Sequence, residues 1–303
     1  MRVFDAAATR ERLPLPALVD ALRAMFVAGC EVPLRHTHKI GDAGTVLLMP
    51  AWRPGALLGI KTVAIFPGNG ARGLPGLHSV YTLFDASTGV PLAQLDGNEI
   101  TTRRTVAASA LAASFLARSD AQRLLIVGAG RVAGLTAPAM RAVRPGLAEV
   151  EVWNRSPAAA ETLAAQLGGR AVADLEAAVR RADIVSCATL ATAPLVHGEW
   201  LRPGAHLDLV GSFTPAMREA DGEAFRRARV FVDTAEALAK SGDILQAVAE
   251  GAFDTAALQG TLADLCRGER AGRRGADEIT LFKSVGSALE DLAAAELVWA
   301  APR

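Results

Sequence analysis

Gly128-Ala129-Gly130-Arg131-Val132-Ala133 closes a short apolar run, Leu124 to Val127, and opens the helix-compatible segment Leu135 to Val143. The spacing is G-x-G-x-x-A. Gly128 permits a tight turn after a strand. Gly130 has no Cβ to keep a pyrophosphate off the backbone. Ala133 is small enough for a helix to pack closely on that strand, and the first helical N–H groups then face the phosphates. The spacing alone is a weak signal in a chain rich in Gly and Ala; the strand before it and the helix after it strengthen it. The chemistry implied is dinucleotide binding. A second strand, ending at Trp153, leads into Asn154-Arg155-Ser156. An Asp or Glu at this strand end accepts the ribose hydroxyls of NAD and would repel a 2′-phosphate. Asn154, Arg155 and Ser156 instead offer neutral hydrogen bonds, a guanidinium fork and a hydroxyl, and Arg131 adds a second cation. NADP(H) is therefore favoured, with NAD(H) as the alternative. Thr189 stands at the C-terminal end of a further strand, Ile184 to Ala188, where ligands bind in parallel sheets.

Lys61 is the other informative side chain. It interrupts the apolar strand LLGIKTVAIF, residues 57–66. Such a lysine either snorkels to the strand edge or points into a site with a lowered pKa; the second reading is taken here. Cations also cluster in VPLRHTHK, a polar stretch with Arg35, His36, His38 and Lys39, and at Arg103-Arg104. His36 and His38 alone lack the third ligand a metal site needs, so no metal is expected. Cys30, Cys187 and Cys266 are far apart and form no C-x-x-C pair, which implies free thiols, a reducing compartment and a cytoplasmic protein.

The elements that carry these residues fall into two patterns. Leu15, Leu18, Val19, Leu22 and Phe26 recur at helical spacing after Pro14 and Pro16. Residues 45–95 read as antiparallel strands. The first, from Thr45, ends at Pro50; turns lie at Pro67–Gly70, Gly73–Gly76 and Asp85–Gly89. A helix runs from Asp96 to Ala117, and Ser119-Asp120 marks a boundary. Beyond it strands and helices alternate, as in a doubly wound parallel sheet: strands Leu124–Val127, Val150–Trp153, Ile184–Ala188, Ala205–Val210 and Val230–Val232, with helices such as Ala158–Leu167 and Leu175–Arg181. The last segment is a short strand and a helix whose apolar face is Leu289, Leu292, Ala293 and Leu297. This helix is expected to pack back on the first domain. The fold class is α/β: a Rossmann-like doubly wound domain plus an α+β domain with antiparallel strands.

Composition narrows the function. The 303 residues hold 32 Lys plus Arg against 32 Asp plus Glu, so no excess charge calls for nucleic acid or an anionic membrane. Hydrophobic residues at 51% and charged residues at 21% fit a packed enzyme. No apolar run is long enough to span a bilayer, and Asp5 and Glu11 stand where an export signal needs its apolar region.

The chain resembles the ornithine cyclodeaminase/mu-crystallin family. The resemblance rests on P-L-R at 33–35, L-M-P at 48–50, G-I-K at 59–61, F-P-G-N at 66–69, G-L-P at 73–75 and D-A-S-T-G-V-P-L-A at 85–93. It continues with T-x-R-R-T ending at Thr105, G-A-G at 128–130, V-W-N-R at 152–155 and A-D-I-V at 182–185. R-E at 218–219, S-G-D-I at 241–244 and F-K-S-V-G at 282–286 complete it. It implies a homodimer with a substrate-binding and dimerisation domain, residues 1–118 joined by 283–303. A Rossmann-like dinucleotide domain, residues 119–282, would complete the subunit. The implied chemistry is hydride exchange between a nicotinamide and the α-carbon of a small amino or imino acid. By the same resemblance Arg35, Lys61 and Arg104 surround the substrate carboxylate, Lys61 also acts in catalysis, and Thr82 contacts the substrate or cofactor edge. Ser284 approaches the nicotinamide, and Gly211 belongs to a cofactor loop.

One departure is informative. Family members that release ammonia carry G-x-D-x-P-G-K in this loop; here it reads Gly211-Ser212-Phe213-Thr214-Pro215-Ala216-Met217. A phenyl ring cannot activate water or take a proton. The resemblance therefore implies reduction of a carboxylated cyclic imine or a related imino or keto acid by NADPH. Two alternatives stay open. One is an NAD-dependent cyclodeaminase or amino-acid dehydrogenase in which Asp96, Glu99 or Glu219 replaces the missing acid. The other is a binding protein without turnover.

Overall fold

The computed structural model describes residues 1–301. The chain divides into two compact units: Met1–Arg104 with the C-terminal segment from Ser287, and Thr105–Gly286. The first contains β1 (Arg2–Phe4), α1 (Ala6–Glu11), α2 (Leu15–Ala28), β2 (His36–Ile40), β3 (Gly44–Trp52), β4 (Leu57–Ile65), β5 (Leu77–Asp85) and β6 (Pro91–Asp96). The division falls inside α3 (Gly97–Leu116). The second unit continues with β7 (Arg123–Val127), α4 (Ala133–Val143), β8 (Glu149–Trp153), α5 (Pro157–Leu167), β9 (Arg170–Ala171), α6 (Leu175–Arg181), β10 (Ile184–Cys187) and β11 (His206–Leu209). It ends with α7 (Gly222–Arg227), β12 (Ala228–Val232), α8 (Ala237–Lys240), α9 (Gly242–Ala249), β13 (Gly260–Thr261), α10 (Leu262–Arg267) and β14 (Ile279–Lys283). The final helix, α11 (Ala288–Ala300), belongs to the first unit.

In the first unit the sheet order is β1-β6-β5-β4-β3-β2. β2 to β6 are antiparallel neighbours, and β1 lies parallel to β6. Period-2 burial organises the middle strands of this sheet. Met49, Lys61, Tyr81 and Leu95 stand in one row across four strands, and all are buried. The next row, Pro50, Ile60, Thr82 and Gln94, lies on the opposite face and is half-exposed. α2 and α11 pack together, and α11 also packs on β3 and β4.

Three local expectations are corrected here. β1 was not anticipated, because three residues are too few to show a periodicity. Residues 36–40, read as a polar stretch, form an exposed edge strand whose Lys and His side chains suit an unpaired edge. β3 does not stop at Pro50 but runs on to Trp52. Trp52 exchanges backbone hydrogen bonds with Glu31, on the β2 side, and Pro50 has the same parity. The missing N–H of Pro50 therefore faces the gap between this bridge and the last β2 pair, His36↔Leu48, where no ladder bond is lost.

The second unit is a parallel sheet in the order β13-β12-β14-β11-β10-β7-β8-β9. Its central strands read as continuous buried apolar runs, as strands covered on both faces must. One core cluster gathers Leu125, Val127, Val185, Leu207, Leu209 and Phe225; another gathers Leu124, Ile126, Met140, Val150, Val152 and Leu163. The two-residue strands β9 and β13 had no legible pattern. Among the described residues no helix is long and apolar enough to cross a membrane.

Candidate functional site

Lys61 does not snorkel to an edge. It is 2% exposed and points from β4 toward α3 and α11. Its Nζ lies 2.7 Å from Asp291 Oδ2 and 2.9 Å from Oδ1, and 3.3 Å from Thr101 Oγ1. Asp291 bridges onward: its Oδ1 accepts from Arg104 Nε at 3.0 Å, and Arg104 Nη1 donates to Glu290 at 2.6 Å. Two cations and two carboxylates thus form one network, with Glu290 and Asp291 both fully buried. Burial drives the Lys61 pKa down to about 8, and Arg104 pushes the same way. Asp291 opposes both by contact and by hydrogen bond. A buried ammonium weakened in this way is a stronger acid than a surface lysine and sits near the optimum for proton transfer at neutral pH.

The remaining first-unit candidates divide. Arg35 immediately precedes β2, outside its ladder with β3 and half-buried. Thr82 does not join this cluster, because it opposes Ile60 and Gln94 on the other sheet face. Of the two adjacent arginines, Arg104 enters the network, whereas Arg103 bonds the Leu13 carbonyl and pairs with Glu99.

In the second unit Gly128 has φ +118°, and a Cβ there would lie 2.6 Å from the Ala188 carbonyl oxygen; the turn requires glycine. Gly130 differs. A Cβ there would meet no protein atom within 4 Å, so packing does not demand glycine, and the open side has room for a ligand. α4 starts at Ala133 with no side-chain cap. Its Gly134 and Leu135 N–H groups already donate to the Gly130 and Val132 carbonyls, so what this end offers an anion is the positive end of the helix dipole. Ala133 is buried against the sheet, while Ala129 and Val132 are half-buried and Arg131 is exposed. These features fit a dinucleotide pyrophosphate. Asn154 and Arg155 line a cavity of about 360 Å³ with Trp153, Pro157 and Glu161. Asn154 bonds the Ser156 carbonyl, closing the turn that presents Arg155.

Thr189, Gly211 and Ser284 follow β10, β11 and β14, three adjacent parallel strands. Ser284 is buried and donates its N–H to Leu209. Phe213 is exposed, and Met217 is buried with its carbonyl accepting from Ser212. The acids considered as substitutes are otherwise engaged. Asp96 accepts from the Glu99 N–H at the start of α3, and Glu99 pairs with Arg10. Glu219 is fully buried and holds Thr189 and Gly211. Among the described residues no three His, Cys, Asp or Glu converge as a metal site.

Sequence reasoning missed Glu290 and Asp291. The structure buries both and leaves Leu289 and Leu297, expected on the apolar face, half-buried. The available signal was chemical: two buried cations need carboxylates, and the first turn of an apolar helix carries two side by side.

The chain is 44% identical over 293 residues to the Delta(1)-pyrroline-2-carboxylate reductase of Paracoccus denitrificans, spanning 95% of this chain and 92% of that protein. It is 36% identical over 260 residues to the ketimine reductase mu-crystallin of Rattus norvegicus, spanning 84% and 80%. Its structure matches that of the Thermococcus litoralis Delta(1)-pyrroline-2-carboxylate reductase in complex with NADH and L-proline. The TM-score is 0.93 at 33% identity, over 99% of this chain and 96% of that one. The model of the ornithine cyclodeaminase/mu-crystallin family matches residues 9–301. With that match and these identities, the chain belongs to the ornithine cyclodeaminase/mu-crystallin family.

Proposed function

We propose that this protein is an NADPH-dependent reductase of small carboxylated cyclic imines, or of closely related imino or keto acids. The observation that carries the reading is the buried Lys61 ammonium, fixed by Asp291 beside Arg104. In this reading Arg35 and Arg104 hold the substrate carboxylate. Arg104 is fixed in orientation by Glu290 and Asp291, so little side-chain entropy is lost when an anion arrives. When bound, the reduced nicotinamide supplies the hydride. Lys61 supplies the proton that the imine nitrogen needs, and Asp291 keeps the ammonium charged and aimed. Phe213 supports reduction over deamination, since this exposed loop offers no acid for water attack.

For the cofactor, Gly128–Ala133 would take the pyrophosphate, with Thr189, Gly211 and Ser284 lining the strand ends. Asn154, Arg155, Ser156 and Arg131 would take a 2′-phosphate. NADPH preference is the finer part of the proposal, and the NADH named in the Thermococcus litoralis complex marks the competing choice. A second copy of the chain is the proposed partner, docked on the open face of the first unit's sheet.

The test follows NADPH absorbance with proline-, lysine- and alanine-derived imines. Turnover of a cyclic imine carboxylate, with no ammonia released from ornithine, is expected; NADPH binding without oxidation by any imine or keto acid overturns the assignment. For the cofactor, Arg155→Ala should weaken NADPH binding about tenfold or more and leave NADH within about twofold, as loss of one charge-assisted contact implies. Tighter binding of NADH than NADPH by the unaltered protein removes the preference.

A further inference from the structure

Arg218-Glu219, Asp243 and Lys283 lie in separate sequence motifs and have no part in the hydride chemistry above. The fold brings them together beneath the ends of β10, β11 and β14. Glu219 is 0% exposed. Its Oε1 accepts from the Thr189 backbone N–H at 2.7 Å and from the Thr189 hydroxyl at 2.8 Å. Its Oε2 accepts from the Gly211 N–H at 2.7 Å. One carboxylate thereby ties together the segments after two neighbouring parallel strands. The Glu219 backbone is pinned in turn: its N–H and that of Ala220 donate to Asp243 Oδ1 at 2.7 and 3.1 Å. Ser212 adds a brace, donating to the Met217 carbonyl and accepting from the Asp243 N–H.

We propose that Glu219 is a positioning residue for the dinucleotide, holding the Thr189 and Gly211 segments in their binding geometry through its ionised carboxylate. This rests on the dinucleotide assignment made above. Two of the three groups facing the carboxylate are backbone N–H donors and the third, the Thr189 hydroxyl, donates as well, so the ionised form satisfies every bond. A proton on Oε2 would confront the Gly211 N–H with another donor and release that segment.

The charges around Glu219 place this switch near neutral pH. Burial pushes the carboxyl up to about 7. Lys283 at the end of β14 and the Thr189 bonds pull it down, while Asp243 on α9 pushes it up. Lys283 lies 3.4 Å from Asp243, and both are fully buried. Cys187 on β10 and Asp208 on β11 are the other buried titratable groups of this cluster. The Cys187 thiol is pushed well above its usual range and stays neutral. The Asp208 carboxyl, held by Ser186 and Ser109, is pushed up to about 6. Arg218 turns away to pair with Glu250.

The experiment compares dissociation constants of NADPH and NADH between pH 6 and 8 for the unaltered protein, Glu219→Gln and Asp208→Asn. Comparing variants cancels the 2′-phosphate's own titration. Binding by the unaltered protein should weaken as pH falls through about 7. Glu219→Gln should bind about tenfold more weakly at pH 8, with this pH dependence gone, because its amide meets the Gly211 N–H as a donor. Its far-ultraviolet circular dichroism at pH 8 should match that of the unaltered protein, which separates weaker binding from loss of the fold. Asp208→Asn should keep the pH dependence. Glu219→Gln binding with unchanged affinity and slope overturns the inference alone. No dinucleotide binding by the unaltered protein at any pH overturns both it and the reading beneath it.

Discussion

Lys61 and Asp291 illustrate how a buried ion pair links stability to reactivity. Lys61→Met would leave Asp291 in the interior with Arg104 as its remaining cation. Breaking a buried pair in this way costs about 3 kcal/mol, measurable as a shift in urea midpoint. Imine reduction should fall by about 10²-fold or more, the usual contribution of a positioned acid. Asp291→Asn separates the two effects. Asp291 raises the Lys61 pKa, so its neutral replacement lets burial and Arg104 lower that pKa further below about 8. Reduction needs the ammonium, so activity is present below this pKa and lost as pH rises through it. The alkaline limb of kcat/KM should lie near pH 8 in the unaltered protein. In Asp291→Asn it should move down by about one unit. An unmoved limb would remove Lys61 from proton delivery.

Whole elements were more legible than the partnerships between them. α2 was readable from its period, α6 has the expected bounds Leu175–Arg181, and the glycine turn after β7 followed from its spacing. Gly128→Ala should therefore act locally. The Cβ is forced toward the Ala188 carbonyl at a positive φ, and dinucleotide affinity should drop by about tenfold or more with the sheet intact by circular dichroism. The charge network could not be read in the same way. Asp291 meets Lys61 across 230 positions of sequence, and no periodicity encodes such a pairing. Apolar periodicity assigned α11 a face built on Leu289 and Leu297. The preference of buried cations for carboxylates turned Glu290 and Asp291 inward instead. Thr82 shows the opposite limit: resemblance named the residue, and the two-residue pleat put it on the face away from Lys61.

At the scale of the whole molecule, the first unit's sheet has one helix-covered face and one that carries Leu48, Ile60, Val80 and Phe84 half-buried or exposed. An antiparallel sheet can leave one face to water, but that face is then polar. An apolar one calls for a partner. With a second copy as that partner, Val80→Lys should convert a dimer to monomers in light scattering while NADPH binding persists. A monomeric unaltered protein at micromolar concentration would rule out this use of the face.

The return of α11 to the first unit has a consequence for synthesis. The second unit is one continuous stretch, Thr105–Gly286, and needs no later segment to complete itself. The first unit cannot. Its strands and the start of α3 emerge early, yet Lys61 and Arg104 must wait for Glu290 and Asp291 until the second unit has been made. At about 5–20 residues per second that wait is of order ten seconds or more. During it both cations can stay hydrated only while that part of the core remains open. The acids in the first turn of α11 thus act as a late latch, and chains truncated after Gly286 and released from the ribosome should show the first unit open to protease and the second protected.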